Sequence, residues 1–416
     1  MSKREPQQDY DVVIAGGGMI GTSLALALAP LGLQVAVVEA VSASTQTQPS
    51  FDDRSTALSR SSQRLFEALG LWTEIAAAAT PIRKIHVSDK GRFGFAHIDA
   101  REQRVEALGY VVINRVLGTV LRDALDRAPG VHLLCPARIT DVRLAPERAV
   151  AVVDPDGSTP FEINGRLLVA ADGANSNVRQ LLGITAQQSA YGQRAVIGNL
   201  QPGIAIDNIA YERFTPAGPL ALLPMTDDRA AFVWTVSETD AERVLALDDH
   251  AFLQALQTAF GYRLGAFSKI GKRAAYPLTL SKALRLTATR SVVIGNAAHG
   301  LHPVAAQGFN LGLRDVATLC DCVSDALESG TDATDIGAAQ MLDRYAEWRR
   351  SDQKKLVQFT DGLVRLFGTQ SRPLRRLRNL GMLGFDFIPG VRDEFARQTM
   401  GLAGRLPRLS RGVPLR

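Results

Sequence analysis

The 416-residue sequence is poor in cysteine, with only Cys135, Cys320 and Cys322. An odd, sparse set excludes a disulfide framework and points to a reducing compartment. Cys320 and Cys322 stand two apart in a helical stretch and point to different faces, so they form neither a metal pair nor a redox C-x-x-C. They are expected to be small buried apolar side chains, and no metal site is expected. Long hydrophobic runs are also missing. No stretch of about 18 apolar residues is free of glycine or charge, which excludes an ordinary spanning helix. Met1 to Tyr10 is polar with mixed charges and does not read as a secretory signal, so the expected location is cytoplasmic or peripheral. Neither sign of charge dominates: 47 Lys and Arg face 42 Asp and Glu, a net +5. Such a mildly basic surface suits an anionic cofactor or an anionic membrane as well as it suits nucleic acid, and no nucleic-acid partner is expected. Internal repeats and low-complexity tracts are absent.

What is present is a chain that can bury a large core, 46% hydrophobic and long enough for two or three domains. Asp11 to Ala15 is a short β-branched run, read as a buried parallel strand. A glycine turn follows, then an Ala/Leu-rich helix from Met19 to Ala29, stopped by Pro30 and Gly32. Gln34 to Glu39 is a second strand, completing a βαβ unit. Further helices are expected at Ser61–Leu69, Val116–Arg127, Gly308–Glu328 and Tyr345–Phe367. Further strands are expected at His132–Leu134, Val150–Val153, Leu167–Ala171 and Ser291–Gly295. Between about Tyr191 and Tyr276 the pattern alternates and is richer in aromatics, notably at Ala221–Met225 and Ala230–Val236. That pattern predicts an inserted antiparallel sheet.

Gly16-Gly17-Gly18-Met19-Ile20-Gly21 fits G-x-G-x-x-G. Gly16 permits the tight turn out of the strand, Gly18 lets a pyrophosphate approach the backbone, and Gly21 lets helix pack closely on strand. The helix start offers free N–H groups and a positive dipole end to phosphates. Glu39, at the end of the second strand, is placed to accept hydrogen bonds from ribose hydroxyls. This motif alone does not separate FAD from NAD.

Two distant segments extend the pattern: Val169-Ala170-Ala171-Asp172-Gly173-Ala174-Asn175-Ser176, and Val293-Ile294-Gly295-Asn296-Ala297-Ala298-His299 with Leu301 to Gly312 behind it. With the first motif they resemble the three fingerprints of the aromatic-ring flavoprotein hydroxylases. Within that family the sequence resembles the ubiquinone-biosynthesis hydroxylases, of the 2-polyprenyl-6-methoxyphenol hydroxylase type. The residues that carry this are Phe51–Ser59, Ile85–Gly94, Glu212–Met225, Gly271–Leu278 and Gly295–Val316. No C-x-x-x-x-C of the disulfide reductases, no Trp-x-Trp-x-Ile-Pro of the flavin halogenases and no second G-x-G-x-x-G for a separate NAD(P)H domain is present.

The resemblance implies an α/β fold: a Rossmann-like FAD-binding domain (1–80, 105–185 and 280–350), an inserted antiparallel-sheet substrate domain (81–104 and 186–279), and a helical basic tail (351–416). It implies bound FAD, with NAD(P)H and O2 as cosubstrates. Asn296 stands where the family usually has an aspartate on the ribityl chain, and the Gly-Asn variant occurs in this subgroup. Gly308, Phe309 and Asn310 open a helix beside the flavin, with Pro303 stiffening the approach. Arg54 and Arg115 match flavin-contacting positions. Leu222, Met225 and Trp234 are candidate pocket residues, equally readable as sheet core. His302 is only a candidate proton acceptor for the phenol, and a structural histidine is the favoured reading. The implied substrate is an isoprenoid phenol. The arginine-apolar mixtures at Leu363–Phe367 and Leu374–Leu383 suggest contact with a membrane surface, with a peripheral place on the inner membrane as the expectation, and the family often works in a multienzyme assembly. A hydroxylase of a small soluble aromatic and a non-catalytic FAD-binding assembly subunit remain alternatives.

Overall fold

The computed structural model describes residues 9–42, 54–91, 95–300, 307–328, 335–368 and 389–415. Its first sheet is built on β1 (Asp9–Ala15) and β2 (Val35–Val38), joined by α1 (Met19–Leu28). All four residues of β2 are buried, as expected of a strand covered on both faces. The helix gives way to a 3-10 turn at Pro30, and Gly32 ends that turn. β1 pairs in parallel with β2 and with β11 (Phe161–Ala170). β8 (Val131–Leu134) and β19 (Ser291–Val293) continue the parallel set, and β18 (Thr287–Ala288) closes one edge antiparallel. β9 (Ala137–Leu144) and β10 (Ala149–Pro155) hang from β11 as an antiparallel pair. The largest buried cluster joins these strands to α1, to α4 (Asn114–Arg127) and to α8 (Gln307–Glu328).

The second sheet has nine strands: β5 (Lys84–Asp89), β6 (Phe95–Asp99), β12 (Ala186–Gln201), β13 (Ile209–Thr215), β14 (Gly218–Pro224), β15 (Ala230–Ser237), β16 (Ser268–Ile270), β17 (Ala274–Ala283) and β20 (His299–Gly300). Every pairing is antiparallel except β5 with β13. One face is sealed by α6 (Glu238–Leu245) and α7 (Asp249–Phe260). The sequence reading did not foresee these two helices. Their signal was in the caps: Ser237 accepts from Asp240 N at 3.1 Å and Asp248 from Ala251 N at 2.8 Å. A three-stranded sheet of β3 (Ser55–Ser59), β4 (Thr80–Ile82) and β7 (Gly109–Ile113) lies against the other face, where Ile82 and Val111 pack on Ala210, Met225 and Ala231. α2 (Arg60–Ala68) and α3 (Trp72–Ala76) complete this corner, and α5 (Asn177–Leu181) follows β11.

Toward the C-terminus, α9 (Ala339–Gly368) runs unbroken through position 351, where the tail was expected to start. It packs against α8 and reaches β13 and β14. After α10 (Pro389–Thr399) the chain folds back on the body. Ala396 and Met400 pack on Ile98 and Leu108, and Leu409 and Leu415 join the main core. Arg408 pairs with Asp321 at 3.1 Å and with Asp325, and Arg405 stacks 3.8 Å from the Trp348 ring centroid. The side chains of Leu363 to Phe367, and all of Leu374 to Leu383, lie outside the described residues. Among the described residues no helix is long and apolar enough to cross a membrane. Cys320 and Cys322 are buried, and burial pushes both thiols upward, that of Cys322 to about 12.

Candidate functional site

A cleft of about 1980 Å³ lies between the parallel sheet and the nine-stranded sheet. One end is built by the first glycine turn. A Cβ at Gly16, whose φ is +100°, would stand 2.6 Å from Ala171 O, and one at Gly21 would stand 1.9 Å from Gly16 O. These positions therefore hold β1, β11 and α1 at a spacing no side chain permits. Gly18 caps α1 without a side-chain hydrogen bond, and the first turn holds no acid. The helix start thus meets the cleft with unsatisfied amides and a positive dipole end, a fit for a pyrophosphate. Glu39 lines the same end; its carboxylate accepts from Gly17 N at 2.6 Å and Val41 N at 2.8 Å. Those two bonds fix its orientation and leave acceptor capacity for ribose hydroxyls.

The second and third segments meet this turn from the other side. Asp172 lines the cleft, with its carboxylate accepting from Val178 N at 3.0 Å and from the Ser176 hydroxyl. Its side chain shapes the turn that presents the segment. Arg179, buried, donates to Ala297 O at 2.8 Å and Ala174 O at 3.2 Å, lacing this turn to the Gly295 segment. Asn296 alone among residues 291–299 is exposed, and it projects into the cleft while Gly295 and Ala297 are buried beside it. Behind them sits Asp315, fully buried on α8. It accepts from Gly295 N at 2.9 Å, Arg349 Nε at 2.7 Å and His299 Nε2 at 2.6 Å. Burial alone would raise this carboxyl; the His299 and Arg349 charges and these hydrogen bonds instead hold it at about 2. Arg349 is in turn 2.8 Å from Asp352, which also pairs with Arg314. This buried network clamps the Asn296 segment, and sequence reasoning missed it. Its one signal was an aspartate in the apolar stripe of a helix.

Arg54 and Arg115 both line the cleft. Asn114 N donates to Arg54 O at 2.7 Å, so the β3 start and the α4 start bring the two arginines to one side. Arg54 lies 5.0 Å from the Tyr276 ring centroid, which places that cleft-lining tyrosine, also unforeseen, across from it. Gly308 and Phe309 line the cleft at the start of α8. Asn310 does not. Its side chain accepts from Ser59 N at 2.8 Å and the Ser62 hydroxyl at 2.7 Å, and donates to Ala57 O at 2.9 Å. Its side chain pins β3 and α2 to α8, a structural role not foreseen in the sequence. His302 and Pro303 lie outside the described residues.

The candidate pocket residues need correction. Leu222 and Trp234 sit on the helix-covered face, in the core with Phe252 of α7; the Trp234 and Phe252 rings meet edge-on at 5.8 Å. Met225 faces the other way but is buried against Ile82 and Val111. Side chains alternate between faces along a strand, so the next residues over supply the wall: Ile197, Ala231 and Val233 line the cleft. Arg229, Lys269 and Lys272 stand along the same cleft and add positive charge opposite Glu39 and Asp172, suited to a polyanionic cofactor.

The sequence matches the FAD binding domain family over residues 9–360. It is 38% identical over 408 residues to the ubiquinone hydroxylase UbiL of Rhodospirillum rubrum, covering 97% of this chain and 93% of that protein. It is 31% identical to the 3-demethoxyubiquinol 3-hydroxylase of Escherichia coli, covering 95% of this chain and 99% of that one. The fold is similar to the crystal structure of p-nitrophenol 4-monooxygenase PnpA from Pseudomonas putida, with a TM-score of 0.78, 17% identity, and coverage of 96% of this chain and 100% of that chain. At that identity the likeness concerns the fold alone.

Proposed function

Because the chain belongs to the FAD binding domain family and is an FAD-dependent aromatic monooxygenase, we propose that it hydroxylates the ring of a polyprenylated methoxyphenol in ubiquinone biosynthesis, with NAD(P)H and O2 as cosubstrates. The observation that carries this reading is the near full-length similarity to a ubiquinone hydroxylase, in a chain whose three glycine segments converge on one cleft. The overall change balances as arene C–H + NAD(P)H + H⁺ + O2 → arene C–OH + NAD(P)⁺ + H2O. Bound FAD supplies the redox chemistry of that change.

The protein's own residues hold and shield. The α1 amides, Gly16 and Gly18 receive the pyrophosphate, Glu39 the ribose, and Asn296 the ribityl hydroxyls. Arg54, Arg115, Gly308 and Phe309 border the flavin end. Ile197, Ala231 and Val233 form an apolar wall that keeps water from the ring being oxidised. His302 is proposed as a proton acceptor, a role removed if His302→Ala hydroxylates at the wild-type rate. Leu374–Leu383 is proposed to contact an anionic membrane surface, since the substrate is a lipid, and the enzyme to work within a multienzyme assembly peripheral to the inner membrane. Liposome binding unchanged by deletion of that segment would remove it as the anchor.

The test of the function is NAD(P)H oxidation by the FAD-loaded protein, with and without prenylated and unprenylated methoxyphenols, followed by product analysis. Stimulation and a hydroxylated product with the prenylated compound alone are expected. Equal turnover of the unprenylated compound would identify a hydroxylase of small soluble aromatics. Bound flavin without stimulation by either would favour a non-catalytic subunit.

A further inference from the structure

The register of the nine-stranded sheet carries the cleft wall further than the cleft residues already named. Ala274 of β17, Ile197 of β12, Val233 of β15, Ala221 of β14, Glu212 of β13 and Val87 of β5 are direct neighbours, strand by strand, in one row. Residues paired across neighbouring strands share a face, and Ala274, Ile197 and Val233 line the cleft. The opposite parity at the adjacent row, Tyr211, Leu222 and Phe232, is packed under α7. Glu212 therefore stands on the same face of the sheet as these residues, two strands beyond Val233. α9 comes close to β13 and β14.

An acid is out of place in such a row. Its neighbours Ala221 and Val87 are apolar, and among the described residues Glu212 has no hydrogen-bond or ion-pair partner. The side chain is half-buried, yet the surrounding protein pushes its carboxyl up to about 8. Its carboxyl is thus partly accessible in an otherwise apolar stretch of the row.

We infer that Glu212 is the site that receives the hydroxyl group of the phenol, the phenol O–H donating to a carboxyl oxygen. This rests on the aromatic-hydroxylase reading above and names the group that would fix the ring in the wall. The hydrogen bond orients the ring relative to the flavin end of the cleft. By drawing on the hydroxyl proton it also enriches the ring carbons that accept oxygen. No bond is made or broken at Glu212.

The experiment is a calorimetric titration of the FAD-loaded protein, without NAD(P)H, using a geranylated methoxyphenol and its O-methyl ether. Wild type is expected to bind the phenol at least about tenfold more tightly than the ether, the scale of one buried hydrogen bond to a charged or strongly polar group. Glu212→Leu is expected to bind both alike with its flavin content unchanged, and Glu212→Gln, which keeps a carbonyl acceptor, to restore much of the preference. Glu212→Ala, which adds no bulk, takes the place of the leucine variant should that one fail to hold flavin. Equal binding of phenol and ether by wild type, or an undiminished preference in Glu212→Leu, overturns the assignment of Glu212 alone. Wild type binding neither compound overturns the substrate reading, and this inference with it.

Discussion

The two large sheets of this molecule present their chemistry in different ways. The parallel sheet offers backbone: glycine turns, a helix start and strand ends, at positions fixed by what cannot be there. The antiparallel sheet offers side chains, and which ones depends on a parity of one residue. At β14 the run Leu220-Ala221-Leu222-Leu223 is apolar on both faces, because one face meets α7 and the other meets the small sheet. Where both faces are covered, hydrophobicity carries no record of which face is which. The difference teaches that a cofactor site built from turns can be read from spacing, whereas a substrate site built on a sheet needs the register.

That contrast can be sharpened by substitution, beginning with the largest effect. Asp315→Asn would leave the buried Arg349 with Asp352 as its remaining carboxylate partner, a loss of about 3 kcal/mol, at the lower end for breaking a buried pair. Thermal unfolding should show it, together with weaker flavin retention, because the amide leaves one acceptor oxygen where two served Gly295 N, His299 and Arg349. The same group gives a pH signature. An acid held at about 2, below the roughly 4 of an unfolded aspartate, adds stability that is fully present above pH about 4 and is lost as pH falls toward 2. Wild type should therefore show an acid limb in its melting temperature that is reduced in Asp315→Asn.

Trp234→Ala should cost about 3 kcal/mol of stability, as a large side chain lost from a core, with the KM for substrate little changed once the protein is folded. Its neighbour Val233→Leu should do the reverse, shifting KM severalfold with the melting temperature nearly constant. If Trp234→Ala instead shifts KM and Val233→Leu does not, the two faces have been assigned the wrong way round.

On the nucleotide side, Gly21→Ala places a Cβ against backbone that cannot yield without moving α1. Overpacking of about 2 kcal/mol should appear as flavin bound roughly 30-fold more weakly in a fluorescence titration. Asn296→Ala should be the smallest change, about 1 kcal/mol for a lost hydrogen bond, or roughly fivefold in FAD affinity. If Asn296→Ala outweighs Gly21→Ala, side chains rather than backbone dominate cofactor binding.

Much of the nucleotide half was legible in the sequence. Asp11–Ala15 and Gln34–Glu39 read as strands because parallel strands covered on both faces are unbroken apolar runs, and they appear in the structure as β1 and β2. Gly16, Gly18, Glu39, Arg54, Arg115, Asp172, Gly295, Asn296, Gly308 and Phe309 all come to one cleft, with Gly21 packed behind Gly16, because turn chemistry is local. The side-chain role of Asn310 went unforeseen for the opposite reason. Its partners Ala57, Ser59 and Ser62 lie some 250 residues away, and no local pattern records a hydrogen bond of that span. The Asp315 network joins α8, α9 and the Gly295 turn in the same non-local manner. Leu222 and Trp234 were misplaced by parity, and Glu212 went unremarked, since an isolated acid in a strand reads as a solvated side chain until its row is known.

The most direct test of the central claim is to run the reaction under ¹⁸O2 with the FAD-loaded protein, NAD(P)H and a prenylated methoxyphenol, and to weigh the product. A product heavier by one ¹⁸O atom, formed only when NAD(P)H is present, is the expected result. Flavin that oxidises NAD(P)H while the phenol is recovered unchanged, or a product oxygen drawn from water, would contradict it.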